Sequence, residues 1–82
     1  MVLGSLTLQR RFPGMQEELK ERASKDEPFG SLCKDLVDAE VALRHWERSS
    51  LTVSAERCRE YQAMVESLAD EIADVLKREP QR

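Results

Sequence analysis

The fold is decided by residues 28–48, PFGSLCKDLVDAEVALRHWER. Pro28 suits the opening turn of a helix and disfavours a helical conformation at the residue before it. The apolar residues that follow are spaced by 3, 4, 3, 4 and 3 positions, which is the a/d pattern of a heptad seam. They are Phe29, Leu32, Leu36, Ala39, Leu43 and Trp46. This stretch therefore predicts one long amphipathic helix.

A second stretch, residues 54–78, repeats this arrangement with the sequence SAERCREYQAMVESLADEIADVLKR. Its seam has the same spacing and consists of Cys58, Tyr61, Val65, Leu68, Ile72 and Val75. Ser54 suits the N-cap position. Lys77 and Arg78 suit the negative C-terminal end of a helix, and Pro80 ends it. We therefore expect a second long helix.

The hydroxyl-rich segment between these stretches, residues 49–53, predicts a turn. Two long helices that are joined by a short turn run antiparallel, so their seams face each other. With the turn centred near Ser50, the facing pairs are Phe29 with Ile72, Leu36 with Val65, and Leu43 with Cys58. Because the residue numbers of each pair have the same sum, the two seams agree in register. The sequence predicts an all-α fold, an antiparallel two-helix coiled-coil-like hairpin preceded by a short N-terminal helix.

The residues before the hairpin carry weaker signals. Phe12, Met15, Leu19 and Ala23 are spaced by 3, 4 and 4 positions, which predicts a short helix over about residues 13–24. Residues 1–11 lack a sustained helical period, so we expect a flexible N-terminal tail there. The hairpin domain then covers residues 12–79, with helices at about 13–24, 28–48 and 54–78, and residues 80–82 form a C-terminal tail.

Length and charge restrict the classes of function. The chain has 82 residues, enough for one domain without a deep enclosed pocket. Its formal net charge of -3 disfavours strong binding of nucleic acid, which needs a surplus of Lys and Arg on one surface. No apolar run approaches the ~20 residues of a membrane-spanning helix, and the first residues do not resemble a secretory signal. We expect a cytoplasmic protein that does not bind membranes.

The residues that carry chemistry are sparse. Along the predicted hairpin Cys58 faces Leu43, ten residues or about 15 Å from Cys33, too far for a disulfide. The single histidine, His45, and the absence of paired short Cys spacings predict no metal site and no cofactor. Cys58 and His45 are near enough in the hairpin to suggest a nucleophile and its base. They have no third orienting group, so we expect no catalytic residue and no enzyme.

Association with another chain is the expected role of this protein. A two-helix hairpin alone buries little apolar surface and is only marginally stable. We therefore expect the first helix, a second copy of the chain or another protein to bury more of its apolar side chains. Val37 and Val41 form one candidate contact strip on the back of the first long helix, although two surface valines need have no function. The protein is thus interpreted as a helical-hairpin module for protein–protein interaction or self-association.

A basic tip near the predicted turn is the second candidate contact. The tip consists of Arg44, His45, Arg48, Arg57 and Arg59. Of these, Arg44, Arg48 and Arg57 extend the candidate partner surface beyond the two valines. Such a tip suits an acidic partner, or weak binding of nucleic acid or another anion. Alternatively, the arginines pair along their helices with nearby glutamates, namely Glu40, Glu47, Glu56 and Glu60.

Short patterns along the chain resemble a known family. They are Phe12-Pro13, Leu19, Asp26-Glu27-Pro28-Phe29, Leu32, Leu36, Glu40, Tyr61 to Leu68, Asp70-Glu71-Ile72 and Leu76-Lys77. In this order they resemble the YdcH-like family of small bacterial proteins over about residues 12–79. The resemblance implies a short helix that leads into a helical hairpin, with no function and no site residue to carry over. The family often has Asn where this chain has Glu27, which moves the expected helix cap to Asp26.

Overall fold

The chain folds into four helices and no strand within the part that its computed structural model describes, residues 5–50 and 52–78. In chain order they are α1 (Leu6–Arg11), α2 (Gln16–Lys25), α3 (Glu27–Arg48) and α4 (Ser54–Arg78). The all-α prediction is confirmed. The two long helices pack closely against each other, α2 packs on α3, and α1 lies against α4.

The two long helices follow local signals in the sequence. Asp26 caps α3 through its Oδ1 atom, which accepts a hydrogen bond from the backbone N–H of Phe29 at 3.2 Å. Pro28 lies in the first turn, where its missing N–H costs nothing. At the start of α4 the N–H of Arg57 already donates to the carbonyl of Val53, so Ser54 is the first helical residue and the predicted cap lies one residue too late.

The α2 helix begins later than predicted because a turn separates it from α1. Gly14 in that turn has a φ of 78°, a conformation that glycine adopts readily and other residues avoid. Pro13, expected in the first turn of a helix, therefore lies in the turn, and α2 covers Gln16–Lys25. Leu19 is its buried residue and joins the core of α3 and α4.

The prediction of a flexible tail over residues 1–11 is wrong for its described part. Ser5 caps α1 by accepting a hydrogen bond from the N–H of Leu8 at 3.1 Å. Leu8 is only 2% exposed and belongs to the core cluster. The helix forms because the long helices offer its leucine an apolar surface, which a search for periodicity within a short segment does not reveal. Residues 1–4 lie outside the described residues. The predicted C-terminal tail, residues 80–82, which includes Pro80, also lies outside them.

The core runs along α3 and α4 and is closed by leucines of α1 and α2. Five of the predicted seam residues are buried: Phe29, Leu36, Ala39, Val65 and Ile72. The other seven are half-buried: Leu32, Leu43, Trp46, Cys58, Tyr61, Leu68 and Val75. Cys33 and Ala69, which the heptad spacing leaves outside the seam, are 0% exposed. The buried stripe is thus broader than the predicted seam.

Candidate partner-binding groove

A groove of about 770 Å³ lies between α1, α3 and α4, and we call it the arginine groove. Its apolar wall consists of Leu6, Leu43, Ala63 and Val65. Val65 is 5% exposed and Leu43 is half-buried, whereas Leu6 is 60% exposed. The apolar wall of the groove is therefore partly shielded from solvent and has an exposed leucine on the α1 side.

The charged wall of the arginine groove contains three guanidinium groups from three different helices. Arg10 belongs to α1, Arg44 to α3 and Arg59 to α4. None of the three forms a hydrogen bond or an ion pair with another residue of the described chain. All three residues are exposed. The groove thus presents three unpaired guanidinium groups beside the three carboxylates that also line it, those of Glu40, Glu47 and Glu66.

The carboxylates of the same wall are differently placed. Glu40 is 7% exposed, and its Oε2 atom accepts a hydrogen bond from the backbone N–H of Thr7 at 3.0 Å. Glu66 lies 3.8 Å from the guanidinium of Arg11, which also donates to Asp70 at 2.9 Å. The buried bond of Glu40 thus fixes α1 against α3, whereas the exposed contact of Glu66 contributes little. Glu47, the third carboxylate of the wall, has no such partner within residues 5–50 and 52–78.

Glu40 shows what sequence reasoning missed at this site. The sequence pattern placed it among the solvated glutamates available to nearby arginines. In the structure α1 lies over it, and a first-turn N–H of α1, which has no partner within its own helix, bonds to its carboxylate. No signal in the sequence marks this contact, because Thr7 and Glu40 are distant in the chain and each is ordinary in its own segment.

The predicted partner surface is not brought together as one site. Arg44 lies in the arginine groove, but the groove wall does not include the other four predicted residues within the described chain. Val37 is half-buried and Val41 is 53% exposed. Arg57 is paired with Glu60 at 2.8 Å, which agrees with the alternative that these arginines pair along their helices. Arg48 is exposed.

Cys58 and His45, the two residues that suggest a nucleophile and its base, differ in their exposure. Cys58 is half-buried and His45 is exposed, its ring packed edge-on against Trp46 with centroids 5.2 Å apart. Cys33 is buried, and its burial raises the pKa of its thiol, which makes it less reactive. Both cysteines are free. Over the described ranges no three His, Cys, Asp or Glu side chains form a group that suits a metal ion.

A second groove, of about 430 Å³, lies elsewhere on the α3–α4 pair, and we call it the acidic groove. Asp35 and Asp38 line it together with apolar residues, of which Met64 is 47% exposed. Asp38 accepts a hydrogen bond from Lys34 at 2.9 Å. The charged side chains of the acidic groove are thus both carboxylates, whereas those of the arginine groove are three arginines and three glutamates.

Comparisons with models of known protein families, with curated proteins and with solved structures find no match for this chain. They bear neither for nor against the resemblance to the YdcH-like family, which stays a prediction. Among the described helices, none is long and apolar enough to cross a membrane.

Proposed function

We propose that this protein is a non-enzymatic protein–protein interaction module that binds its partner in the arginine groove. The observation that carries the proposal is an open apolar groove whose three arginines have no partner in the described chain. An apolar centre with a polar rim is the usual anatomy of a protein interface, and a groove between helices suits a helical segment of a partner. Burial of the exposed Leu6 would add to the binding free energy.

The scaffold of this module is proposed to be an antiparallel hairpin of α3 and α4. The close packing of the two helices and their short connection, residues 49–53, support it, as do the matched seams. Spin labels on exposed Ser31 paired with Glu71, or with Glu56, would test it in a variant without other cysteines. Glu56 then lies about 20 Å further along the hairpin than Glu71, from ~1.5 Å per residue, so with helix axes ~10 Å apart the Ser31–Glu71 distance is shorter by roughly 10 Å. A shorter Ser31–Glu56 distance would contradict it.

Site-specific photo-crosslinking tests the interaction function. A photoreactive amino acid is placed at Ala63, on the groove wall, and a control at Lys20, an exposed residue of α2 outside the groove. In cells of the natural source we expect discrete adducts with Ala63 and none with Lys20. If neither position forms adducts, the proposal is contradicted. It is also contradicted if Ala63 and Lys20 form the same adducts in equal amounts.

The mass of the adduct separates two kinds of partner. An added mass of 9.4 kDa, that of one further chain, would indicate self-association. The unpaired arginines of the arginine groove and the carboxylates of the acidic groove favour such a contact, because a head-to-tail pair of copies would bring Arg59 near Asp35. Any other added mass would indicate a different protein.

Binding of nucleic acid or another anion at the basic tip receives less support. One cation of the tip is already engaged, because the guanidinium of Arg57 is paired with Glu60, which also raises the pKa of Arg57. Arg44 lies in a groove with an apolar wall, which a phosphate chain does not need.

A further inference from the structure

We propose that a second copy of this chain covers the acidic groove, so that two hairpins pack face to face as a four-helix bundle with a two-fold axis. The contact uses the α3–α4 hairpin proposed above as its scaffold. It goes beyond binding at the arginine groove, because no described residue lines both grooves and the arginine groove stays open to another protein.

The first argument is that the two flanks of the hairpin are buried unequally. Cys33 lies on the flank that α1 covers, two helical turns from Glu40, and it is 0% exposed. No residue of α1 or α2 lines the acidic groove, so the described chain leaves the other flank uncovered. Positions two turns beyond Ala39 and Leu68 continue that flank. Its larger apolar side chains are only half-buried or are exposed, and they are Leu32, Tyr61, Met64, Leu68 and Val75.

The second argument is that the acidic groove has a shape complementary to itself. The apolar side chains from α3 are the small Ala39 and Ala42, whereas those from α4 are the large Tyr61, Met64 and Leu68. A two-fold axis parallel to the hairpin lays α4 of each copy over α3 of the other, and rotation about it keeps every residue at its own height. The large side chains of one copy therefore meet the alanines of the other, as knobs meet holes in helical bundles. A surface that fits itself favours an isologous pair.

The third argument is the size of the uncovered flank. The 25 residues of α4 extend over about 37 Å at ~1.5 Å per residue, and two helices side by side are roughly 20 Å wide. The flank therefore offers on the order of 700 Å² on each copy, or roughly 1,500 Å² for the pair. Stable protein complexes bury about 1,200–2,000 Å² in total. A second copy thus supplies enough apolar contact for a stable dimer.

The charges of the acidic groove permit this contact. Asp38 is neutralised by Lys34 at 2.9 Å, which leaves Asp35 as the unpaired charge among the described residues that line the groove. Asp35 is exposed and remains in water at the rim. Because salt screens the repulsion between the carboxylates of two copies, it should not weaken this dimer. A head-to-tail contact between Arg59 and Asp35 should instead weaken as salt is added.

Sedimentation equilibrium of the full chain tests the inference. We expect a reversible equilibrium between the chain of 9.4 kDa and a species of twice that mass, with no larger species. We expect the dissociation constant to lie below about 100 μM, which an interface of this size readily provides. It should not rise when the salt concentration is increased from about 0.1 M to about 0.5 M.

Two variants of equal net charge locate the contact. Met64→Glu places a carboxylate in the acidic groove, and Val41→Glu places one at a position that is 53% exposed and lines neither groove. We expect Met64→Glu to raise the dissociation constant at least tenfold, because the contact would bury an unpaired charge. Val41→Glu should stay within about twofold of the native chain. Met64→Leu keeps an apolar side chain and should preserve the dimer. Circular dichroism checks that all three variants are folded.

Several results would overturn the inference. A native chain that stays monomeric up to about 1 mM, or that forms species larger than a dimer, would exclude a closed two-fold pair. Equal weakening by Met64→Glu and Val41→Glu would exclude the acidic groove, and so would an unchanged dissociation constant in Met64→Glu. A dissociation constant that rises with salt would indicate the head-to-tail contact.

The crosslinking at Ala63 separates this inference from the interaction function, because Ala63 lines the arginine groove alone. A monomeric chain that still forms discrete adducts from Ala63 in cells rejects only the dimer. A dimer that forms no such adducts rejects only the arginine groove as the binding site. In Met64→Glu the adducts from Ala63 should persist, since the two surfaces are distinct.

Discussion

The backbone N–H of Thr7 donates a hydrogen bond to Oε2 of Glu40, with 3.0 Å between the nitrogen and the oxygen. Both residues are buried, and they are 33 positions apart in the chain. A donor that α1 cannot satisfy internally is thereby satisfied by α3, and a carboxylate that is costly to bury gains a partner. This contact places α1 at the edge of the arginine groove, where Leu6 and Arg10 become part of the wall.

Substitution of Glu40 is expected to loosen α1. In Glu40→Ala the N–H of Thr7 loses its acceptor, which should lower the free energy of unfolding by about 1–3 kcal/mol. Glu40→Gln keeps an amide oxygen that can accept the same hydrogen bond, so its loss should be smaller. Urea denaturation of both variants measures the difference. Equal unfolding free energies for Glu40→Gln and Glu40→Ala would show that the hydrogen bond is not what Glu40 contributes.

The two cysteines should differ strongly in their rates of alkylation. Cys58 is half-buried, whereas Cys33 is 0% exposed and its pKa is raised by burial, so little of its reactive thiolate is available. Mass spectrometry of an iodoacetamide time course should show Cys58 labelled first. Leu8→Ala, which removes a buried leucine of α1 at a cost of about 2–5 kcal/mol, should accelerate labelling of Cys33. An unchanged Cys33 rate would mean that α1 does not protect this thiol.

Gly30 should not tolerate a side chain. A Cβ atom there would lie 2.8 Å from the carbonyl oxygen of Ala23 on α2, and a backbone atom cannot move away without shifting its helix. Gly30→Ala gains up to about 1 kcal/mol of helix propensity but loses about 1–3 kcal/mol through overpacking, so it should be destabilising. Ser31→Ala, at the exposed neighbouring position, is the control and should cost nothing. Thermal unfolding compares them, and a Gly30→Ala variant more stable than the native chain would contradict the close approach of α2.

The cap of α3 should make stability depend on acidic pH. The hydrogen bond from the Phe29 N–H, followed by that from Arg22, holds the pKa of Asp26 below its ordinary value of about 3.9. Because the folded-state pKa is the lower one, the contribution of Asp26 is fully present above pH ~4 and is lost as the pH falls through the folded pKa. Asp26→Asn keeps an N-cap oxygen but removes the charge. In urea denaturation at several pH values, the native chain should exceed this variant above pH ~4 and approach it at lower pH, whereas a constant difference would exclude a charge effect.

The long helices were predictable because their signals are local. Asp26 and Pro28 start α3 within one turn, and the 3,4 spacing of apolar residues continues for several turns, so neither depends on the rest of the chain. Accordingly α4 begins and ends at the predicted residues 54 and 78, and α3 begins one residue early. The start of α2 was harder to predict, because the turn before it depends on the positive φ of Gly14.

The candidate site was largely unpredictable from sequence. Five residues were predicted as the partner surface, and Arg44 alone among them lines the groove. It does so because it lies on the face of α3 near α1 and α4. The sequence alone places Arg10 in a flexible tail and Arg59 among the basic residues of the tip near the predicted turn. Which arginines find a carboxylate depends on how the helices approach one another, and spacing along a single helix does not contain that information.

The sequence by itself determined that this chain is helical and where its long amphipathic helices begin and end, since caps and apolar periodicity act over a few residues. Only the tertiary structure decided that residues 6–11 form a helix, that Glu40 and Cys33 are buried, and that three arginines share a groove. The reason is that six residues cannot stabilise a helix alone. The helix exists because α3 and α4 provide a place for Leu8 and an acceptor for Thr7, and its presence there forms one wall of the groove.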